Sequence, residues 1–385
     1  MMLAIKNKNM KVLTMSKSIS FSVFAMLFGY LLFWPVAVDP VAWSAPSDNG
    51  YTGAFAQNQH LSQLQRIELR DAEGPEDYAL SQNQEIFFSL ASGDINYIDG
   101  QGTIKNWVNT GGRPLGIEFD GQGNLWVADA LQGLLKVDAQ KNIEVMVKMS
   151  GGIEVNYADD VDIAKNGKVY FSDASTKFHA KKYGVLAASM LDINEHGGHG
   201  RIIEYDTQTK VSRVIAKGLN FANGVAVSHD QNWLLVNETG SYRVLKVGIN
   251  GDNLDQVAVV IDNLPGFPDN INQGSQGLYW LGLVSPRSQP LDALSGSAFL
   301  RKIVQRLPEF MRPKAQHFGH VVAINAEGDV VHNLQDPLGM YGSTTGALEV
   351  GGDLYISSLS ESALAKTVNV NKPLSTAILD SELKP

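Results

Sequence analysis

Glu76, Asp159, Asn223 and Asp269, with Asn270 beside the last, are the side chains whose types and spacing combine into chemistry. The first four each stand about ten residues before one copy of a recurring apolar phrase. Leu115 and Thr344/Thr345 hold the same phase before two other copies. If the phrase marks a repeated unit arranged in a ring, these six positions converge on one axis. Three carboxylates meeting alone repel one another and hold their protons more tightly. A hard divalent cation removes that cost, and calcium accepts carboxylate, amide, carbonyl and water oxygens in an adaptable geometry. No histidine or cysteine shares the phase, which disfavours softer metals. Local readings stand beside this one. Asn223-Gly224 suits a hairpin turn, Asp269 after Pro268 suits a turn cap, and Asp77 or Asp160 is an alternative ligand to its neighbour.

The phrase is two or three apolar or aromatic residues followed by small or polar ones. Its copies are Ile86–Ser89, Leu125–Asp129, Val169–Asp173, Leu234–Glu238, Leu278–Gly282 and Leu354–Ser358. Several precede a second strand-like run, such as Gly133–Asp138, Gly200–Asp206 or Tyr242–Val247. Gly, Asn and Asp turns separate the runs, and extended helical periodicity is scarce. Six imperfect copies predict an all-β chain, a six-bladed β-propeller with four-stranded blades over residues 66–385. A large sandwich or two β domains is the competing architecture. Ring closure pairs the strand at Arg66–Arg70 with the last blade near Thr376–Leu379, hiding the sheet edges.

Two insertions break the rhythm, at 177–199 and 285–317. The second carries an amphipathic helix, with Phe299, Leu300, Ile303, Val304, Leu307 and Phe310 on one face. Arg301, Lys302 and Arg306 fall on the other. Such a helix packs its apolar side on the propeller, lids the channel or lies on a membrane.

The 385 residues carry 31 Lys plus Arg against 40 Asp plus Glu, a formal charge of −9. With no dense basic face after the N-terminus, nucleic acid is excluded as a partner. The absence of cysteine removes disulfides, thiolate metal sites and cysteine nucleophiles together. No Gly-x-Ser-x-Gly elbow and no phosphate-binding Gly-x-x-x-x-Gly-Lys-Ser/Thr loop occurs. His196, His199, His317 and His320 lie in or beside the insertions, where solvated histidines are commoner than catalytic ones.

The first forty residues differ from the rest. Lys6, Lys8, Lys11 and Lys17 precede an uncharged apolar run over 19–38. About twenty apolar residues suffice to span a bilayer, and the basic flank stays cytoplasmic. The run therefore reads as a transmembrane signal anchor after a short basic tail (1–18), followed by a linker (39–65). The alternative is a cleaved signal peptide processed at Ala42–Ala45. Both readings export the propeller, to the periplasmic or to the extracellular or lumenal side.

Arg113-Pro114-Leu115-Gly116, Phe221-Ala222-Asn223-Gly224, Gly266-Phe267-Pro268-Asp269-Asn270-Ile271 and Val284-Ser285-Pro286-Arg287-Ser288 carry a family resemblance. The chain resembles the strictosidine synthase-like, adipocyte plasma membrane-associated branch of the calcium-dependent propellers, whose wider relatives are paraoxonases and gluconolactonases. The resemblance implies six blades around a channel calcium held by Glu76, Asn223, Asp269 and Asn270. At Asp159 many relatives carry Asn, a change that keeps an oxygen ligand. By similarity to gluconolactonases, Asp269 is both ligand and proton-transfer group. Leu115 stands where paraoxonases have a catalytic His, so that mechanism does not carry over. Strictosidine synthase has a Glu near the position of Thr345, whereas Glu349 here is offset along the strand. The expected function is a calcium-dependent hydrolase of small-molecule esters or lactones. A non-catalytic, calcium-stabilised binding propeller is the rival, and a condensing enzyme requires Glu349 inside the channel.

Overall fold

Short apolar runs bounded by tight turns leave each strand no partner but its neighbours in sequence, so the chain folds into consecutive up-and-down sheets. The computed structural model describes residues 21–70 and 72–367. Six four-stranded sheets form the blades of a propeller. Their innermost strands are Tyr78–Leu80, Pro114–Phe119, Ala158–Ile163, Ala222–Val227, Gly266–Gln273 and Thr344–Val350. The recurring phrase supplies the second strand of every blade: Ile86–Ser89, Leu125–Asp129, Lys168–Asp173, Trp233–Glu238, Tyr279–Pro286 and Asp353–Ser358. Those second strands are almost wholly buried, whereas outer strands such as Ile143–Val147 and Val257–Ile261 are largely exposed.

The core is a set of sandwiches between adjacent blades. Trp126, Ala128, Val161, Phe171 and Ile203, for example, pack the second blade on the third. Tyr170, Ile202, Val225, Leu234 and Val236 pack the third on the fourth. The ring closes where Gln65–Glu68 pairs antiparallel with Ala363–Thr367, Ile67 opposite Leu364. The closing partner is therefore Ala363–Thr367, and the segment 376–379 expected from the sequence lies outside the described residues. A turn at Ser360–Ser362 is short enough to bring the very next run into the last blade, so no later strand is required.

The insertions form helices at one end of the ring: Ala180–Tyr183 and Val185–Glu195 in the first, Gln289–Ala293 and Ala298–Arg306 in the second. The amphipathic helix is turned over relative to a helix packing its apolar side on the propeller. Arg301 and Arg306 are buried, while Phe299, Leu300 and Phe310 are exposed and Ile303, Val304 and Leu307 are half-buried. The physical reason is the strap beneath it, whose main-chain carbonyls need donors.

Residues 34–64, which hold the segment read as a linker up to the closing strand, run across one end of the ring. The Asp39 amide donates to Glu195 Oε2 at 2.7 Å and the Val41 amide to the Glu195 carbonyl at 2.8 Å. Trp43 stacks on His196 with centroids 3.9 Å apart, and Arg287 donates to the Pro46 carbonyl at 2.6 Å. Residues 21–33 are helical. Among the described residues no helix is long and apolar enough to cross a membrane, and residues 1–20 lie outside them.

Candidate metal centre

Five of the six innermost strands carry the same defect. Between Pro114 and Ile117, Ala158 and Val161, Ala222 and Val225, Pro268 and Ile271, and Thr344 and Ala347, three steps on the inner strand oppose two on its partner. A bulge of this kind re-aims a side chain that regular pleating would bury between blades. The first bulge residues are Leu115, Asp159, Asn223, Asp269 and Thr345. In the first blade, Glu76 precedes the inner strand and its amide donates to the Ser89 carbonyl at 3.2 Å. The equal spacing of the candidate residues is thus the spacing of the bulges.

Polar ends of the second strands hold each bulge from behind. Asp129 Oδ1 accepts the Arg113 amide at 3.1 Å, and Asp173 Oδ1 accepts the Tyr157 amide at 3.0 Å. Glu238 Oε1 accepts the Asn220 amide at 2.9 Å, and Asn237 Nδ2 donates to the Asp269 carbonyl at 2.6 Å. This explains why the recurring phrase ends in small or polar residues. At the second bulge position, a Cβ on Gly224 would lie 2.5 Å from the Asp269 carbonyl oxygen and 2.6 Å from the Ile271 nitrogen. Only glycine lets the fourth blade approach the fifth there.

Glu76, Asp159, Asn223, Asp269 and Asn270 come together, none more than 7% exposed. Asn270 Nδ2 donates to Glu76 Oε1 at 3.1 Å, and the Asn223 side chain hydrogen-bonds the Asp269 carboxylate. Glu76 Oε2, Asp159 Oδ2, Asn223 Oδ1 and Asn270 Oδ1 are buried with no hydrogen-bond partner. Buried oxygens without donors cost free energy unless something positive meets them. Among the described residues no three His, Cys, Asp or Glu side chains stand together at metal-binding spacing by themselves. Here two amides share the set with three carboxylates, a donor set of oxygens alone, which suits a hard cation. The residues fit calcium.

Electrostatics agree with that fit. Burial, followed by the charges of Asp269 and Asp159, pushes Glu76 well above the usual carboxylate range. Burial and the Asp269 charge do the same to Asp159, and burial pushes Asp269 up to about 7. Arg113 opposes the rise at Glu76 and Asp159. Its guanidinium and the buried phenol of Tyr157, whose own proton is held tighter by burial and the Asp159, Asp269 and Glu76 charges, belong to the site's surroundings. Sequence spacing misses both because neither shares the ligand phase. Arg113 stands two residues before Leu115 and Tyr157 two before Asp159.

The alternative ligands are otherwise engaged. Asp77 Oδ2 accepts the Ile117 amide at 2.9 Å, and Asp160 accepts the Val161 and Val225 amides, both at 2.8 Å. These carboxylates satisfy inner-strand donors that have no ladder partner, stitching one blade to the next. Beyond them, toward the other end of the channel, a cavity of about 250 Å³ is lined by Glu118, Asp160, Asp162, Asn272 and Gln273.

The strictosidine synthase family model matches residues 159–252, and the strictosidine synthase-like N-terminal model matches residues 53–97. An adipocyte plasma membrane-associated protein of Danio rerio is 31% identical over 354 residues, spanning 86% of this chain and 83% of the relative. The chain belongs to the strictosidine synthase-like family. Strictosidine synthase-like protein 4 of Arabidopsis thaliana is 31% identical over 300 residues, 76% of this chain and 78% of that one. Among solved structures, a gluconolactonase from Xanthomonas campestris aligns with a TM-score of 0.58 at 16% identity, covering 79% of this chain and 88% of that chain. A calcium-binding protein, regucalcin, from Agrobacterium tumefaciens aligns at 0.54 and 12%, covering 79% and 93%. Those two likenesses establish the fold.

Within this family framework, the two non-ligand positions have clear fates. Leu115 joins an apolar roof with Val38, Tyr157, Phe178, Leu191 and Phe221, under the helix Val185–Glu195. Thr345 Oγ1 donates to the Glu76 carbonyl at 2.6 Å, and Thr344 Oγ1 to the His320 carbonyl at 2.8 Å. Glu349 accepts from the Ser275 amide and hydroxyl and from Trp280 Nε1 at the far end of its strand. It stands four strand steps from Thr345, about 13 Å of rise. His196, His199 and His320 are likewise occupied, with Trp43, Glu195 and Asn333 respectively, and His317 lies 3.0 Å from Glu361.

Proposed function

We propose that the protein is an exported, membrane-anchored, calcium-dependent hydrolase of small-molecule esters or lactones. The observation that carries this reading is the set of four partnerless buried oxygens on Glu76, Asp159, Asn223 and Asn270, gathered beside Asp269. These five residues would hold the ion. Calcium bound there supplies positive charge to polarise an ester or lactone carbonyl and to stabilise the oxyanion. The chain's own part is positional and proton-handling. Asp269, the most exposed of the five at 7%, is the group to take a proton from an attacking water at a carboxylate oxygen. Asn223 and Asn237 fix its carboxylate and its carbonyl. The roof of Leu115, Phe178 and Phe221 excludes bulk water and receives an apolar substrate portion.

In this reading the anchor is the part of the apolar run that ends with the helix at Phe33, since Val36 and Val38 pack on the propeller, with the basic tail cytoplasmic and the propeller across the membrane. Cleavage at Ala42–Ala45, the secreted alternative, would discard Val38, Asp39 and Val41. Those residues roof the channel and pair with Glu195, which favours retention.

A second reading, a non-catalytic propeller binding a ligand or protein partner, is favoured by the same roof, since every candidate ligand is almost fully covered.

The deciding experiment is hydrolysis of a panel of aryl esters and lactones by the full chain, with calcium and with chelator. Calcium titration of Asp269→Ala by calorimetry accompanies it. Calcium-dependent turnover lost in Asp269→Ala supports the hydrolase. Calcium binding with a higher melting temperature but no turnover on any substrate selects the binding module. No calcium binding overturns both.

A further inference from the structure

The start of the helix Ala298–Arg306 and the turn Glu309–Met311 after it present large apolar side chains outward, while Ile303, Val304 and Leu307 between them are half-buried. Phe299, Leu300, Phe310 and Met311 are exposed, Phe310 at 79%. Beside them on the helix Val185–Glu195, Leu186 and Met190 are exposed one turn apart. The two helices are joined, since Asn194 Nδ2 donates to Gln305 Oε1 at 3.3 Å and Arg301 donates to the Asn194 carbonyl at 2.8 Å. The six exposed side chains therefore stand on two adjoining insertions at the same end of the ring. Large apolar side chains exposed together mark an interaction site.

The basic side of the same helix says what covers it. Arg306 donates to the Leu31 carbonyl at 3.0 Å, in the last turn of the helix over 21–33, and to the Trp34 carbonyl at 2.6 Å just beyond it. Arg301 also grips the Val41 carbonyl, and Lys302 pairs with Asp39 at 2.6 Å. The apolar N-terminal helix, exposed at Phe21, Phe24, Leu27, Phe28 and Phe33, is thus tied directly to the second insertion. Lys181, Lys182 and Lys314 are exposed on the two insertions, suited to anionic headgroups.

We propose that the two insertions form a membrane-docking face. Leu186, Met190, Phe299, Leu300, Phe310 and Met311 enter the headgroup–acyl boundary of the bilayer that holds the N-terminal helix. The inference rests on the proposed membrane attachment, and it adds an orientation: the ligand end of the channel lies against the lipid. Insertion helices with an apolar outer side gain free energy by that burial, and a tether of fixed geometry removes the cost of finding the surface.

The chain has no cysteine, so single labels are clean. Full-length Leu186→Cys, Phe299→Cys, Phe310→Cys and Gln122→Cys, the last in a turn at the far end of the ring, are labelled with an environment-sensitive dye. Each is reconstituted in phosphatidylcholine–phosphatidylglycerol nanodiscs with brominated acyl chains. The expected result is bromine quenching at 186, 299 and 310 severalfold deeper than at 122. Quenching equal to that at 122, with the chain still disc-bound, overturns the docking face and leaves the anchor standing. Shielding confined to discs holding two copies overturns it in favour of self-association. A chain that does not purify with the discs overturns the attachment and the inference together.

Discussion

Asn270 donates its side-chain amide twice to Glu76, to Oε1 and to the main-chain carbonyl, both at 3.1 Å. One side chain from the fifth blade thereby orients the carboxylate of the first. The contact engages Asn270 Nδ2 and Glu76 Oε1, and Asn270 Oδ1 and Glu76 Oε2 stay buried without partners, as do Asp159 Oδ2 and Asn223 Oδ1. Removing the amide disturbs two of the candidate ligands at once.

Asn270→Leu keeps the volume and deletes both the donor and the acceptor. Calcium affinity measured by calorimetry is expected to fall by about 10–100-fold or more, the range seen when a residue supporting a metal site is lost. The circular dichroism of the chain with excess calcium should not change. An unaltered affinity would remove Asn270 from the site.

The raised acids set a sign for pH. Asp77 and Asp269 are pushed up to about 7 and Asp162 to about 6, mainly by burial, whereas unfolded carboxylates titrate near 4. Between about pH 4 and 7 the folded, metal-free chain holds protons that the unfolded chain has released. Its stability therefore falls as pH rises through that window. Calcium requires the carboxylates ionised, so its stabilisation grows in the same direction. Calorimetric scans with chelator should give a melting temperature that declines from pH 5 to pH 7.5, and the gain on adding calcium should widen. A metal-free melting temperature that climbs across this range would contradict the assignment.

The convergence of the candidate residues was legible because a bulge in five of the six blades, each a fixed distance before an apolar second strand, converts a ring in space into a period in sequence. Asp159, Asn223 and Asp269 share that period, and Glu76 shares it without a bulge. The fold was legible for the same reason. Arg113 and Tyr157 were not, since their approach to the site depends on how adjacent blades lean together. The inverted helix at Ala298–Arg306 shows a further limit. Periodicity tells which residues share a side of a helix, and here the hydrogen-bonding needs of the strap at Leu31, Trp34 and Val41 decide which side turns inward. The closing strand was misplaced because Ala363–Thr367 follows the preceding strand after one short turn, leaving no gap for pattern alone to mark.

Arg201 and Asp173 form a buried pair at 2.8 Å behind the third blade's bulge. Asp173 also accepts the Asn156 and Tyr157 amides that lead into Asp159. Arg201→Met leaves the carboxylate without its countercharge, a loss of about 3–5 kcal/mol for a buried pair broken on one side. Chemical denaturation should report a loss of that size. Calcium affinity should weaken as well, because the segment before Asp159 loosens. A loss under about 1 kcal/mol, the scale of an exposed pair, would mean the site does not depend on this support.

Arg113 is a cation beside the candidate cation site, and its sign makes it informative. It lowers the proton affinity of Glu76 and Asp159, so in metal-free protein it supports the ionised acids. When calcium is present the same charge repels the ion. Arg113→Gln should therefore act in opposite directions on the two states. Without metal, the acids hold their protons to higher pH, and the pH dependence of calcium affinity becomes steeper. As pH rises and proton competition weakens, direct repulsion becomes the larger effect and affinity should rise relative to the unsubstituted chain. Calorimetric titrations at pH 6.5 and pH 8.5 separate the two. A variant that binds calcium more weakly at both values would show that Arg113 serves the site by shape, holding Pro114 and the bulge after it, and that its charge has no part in tuning the ion.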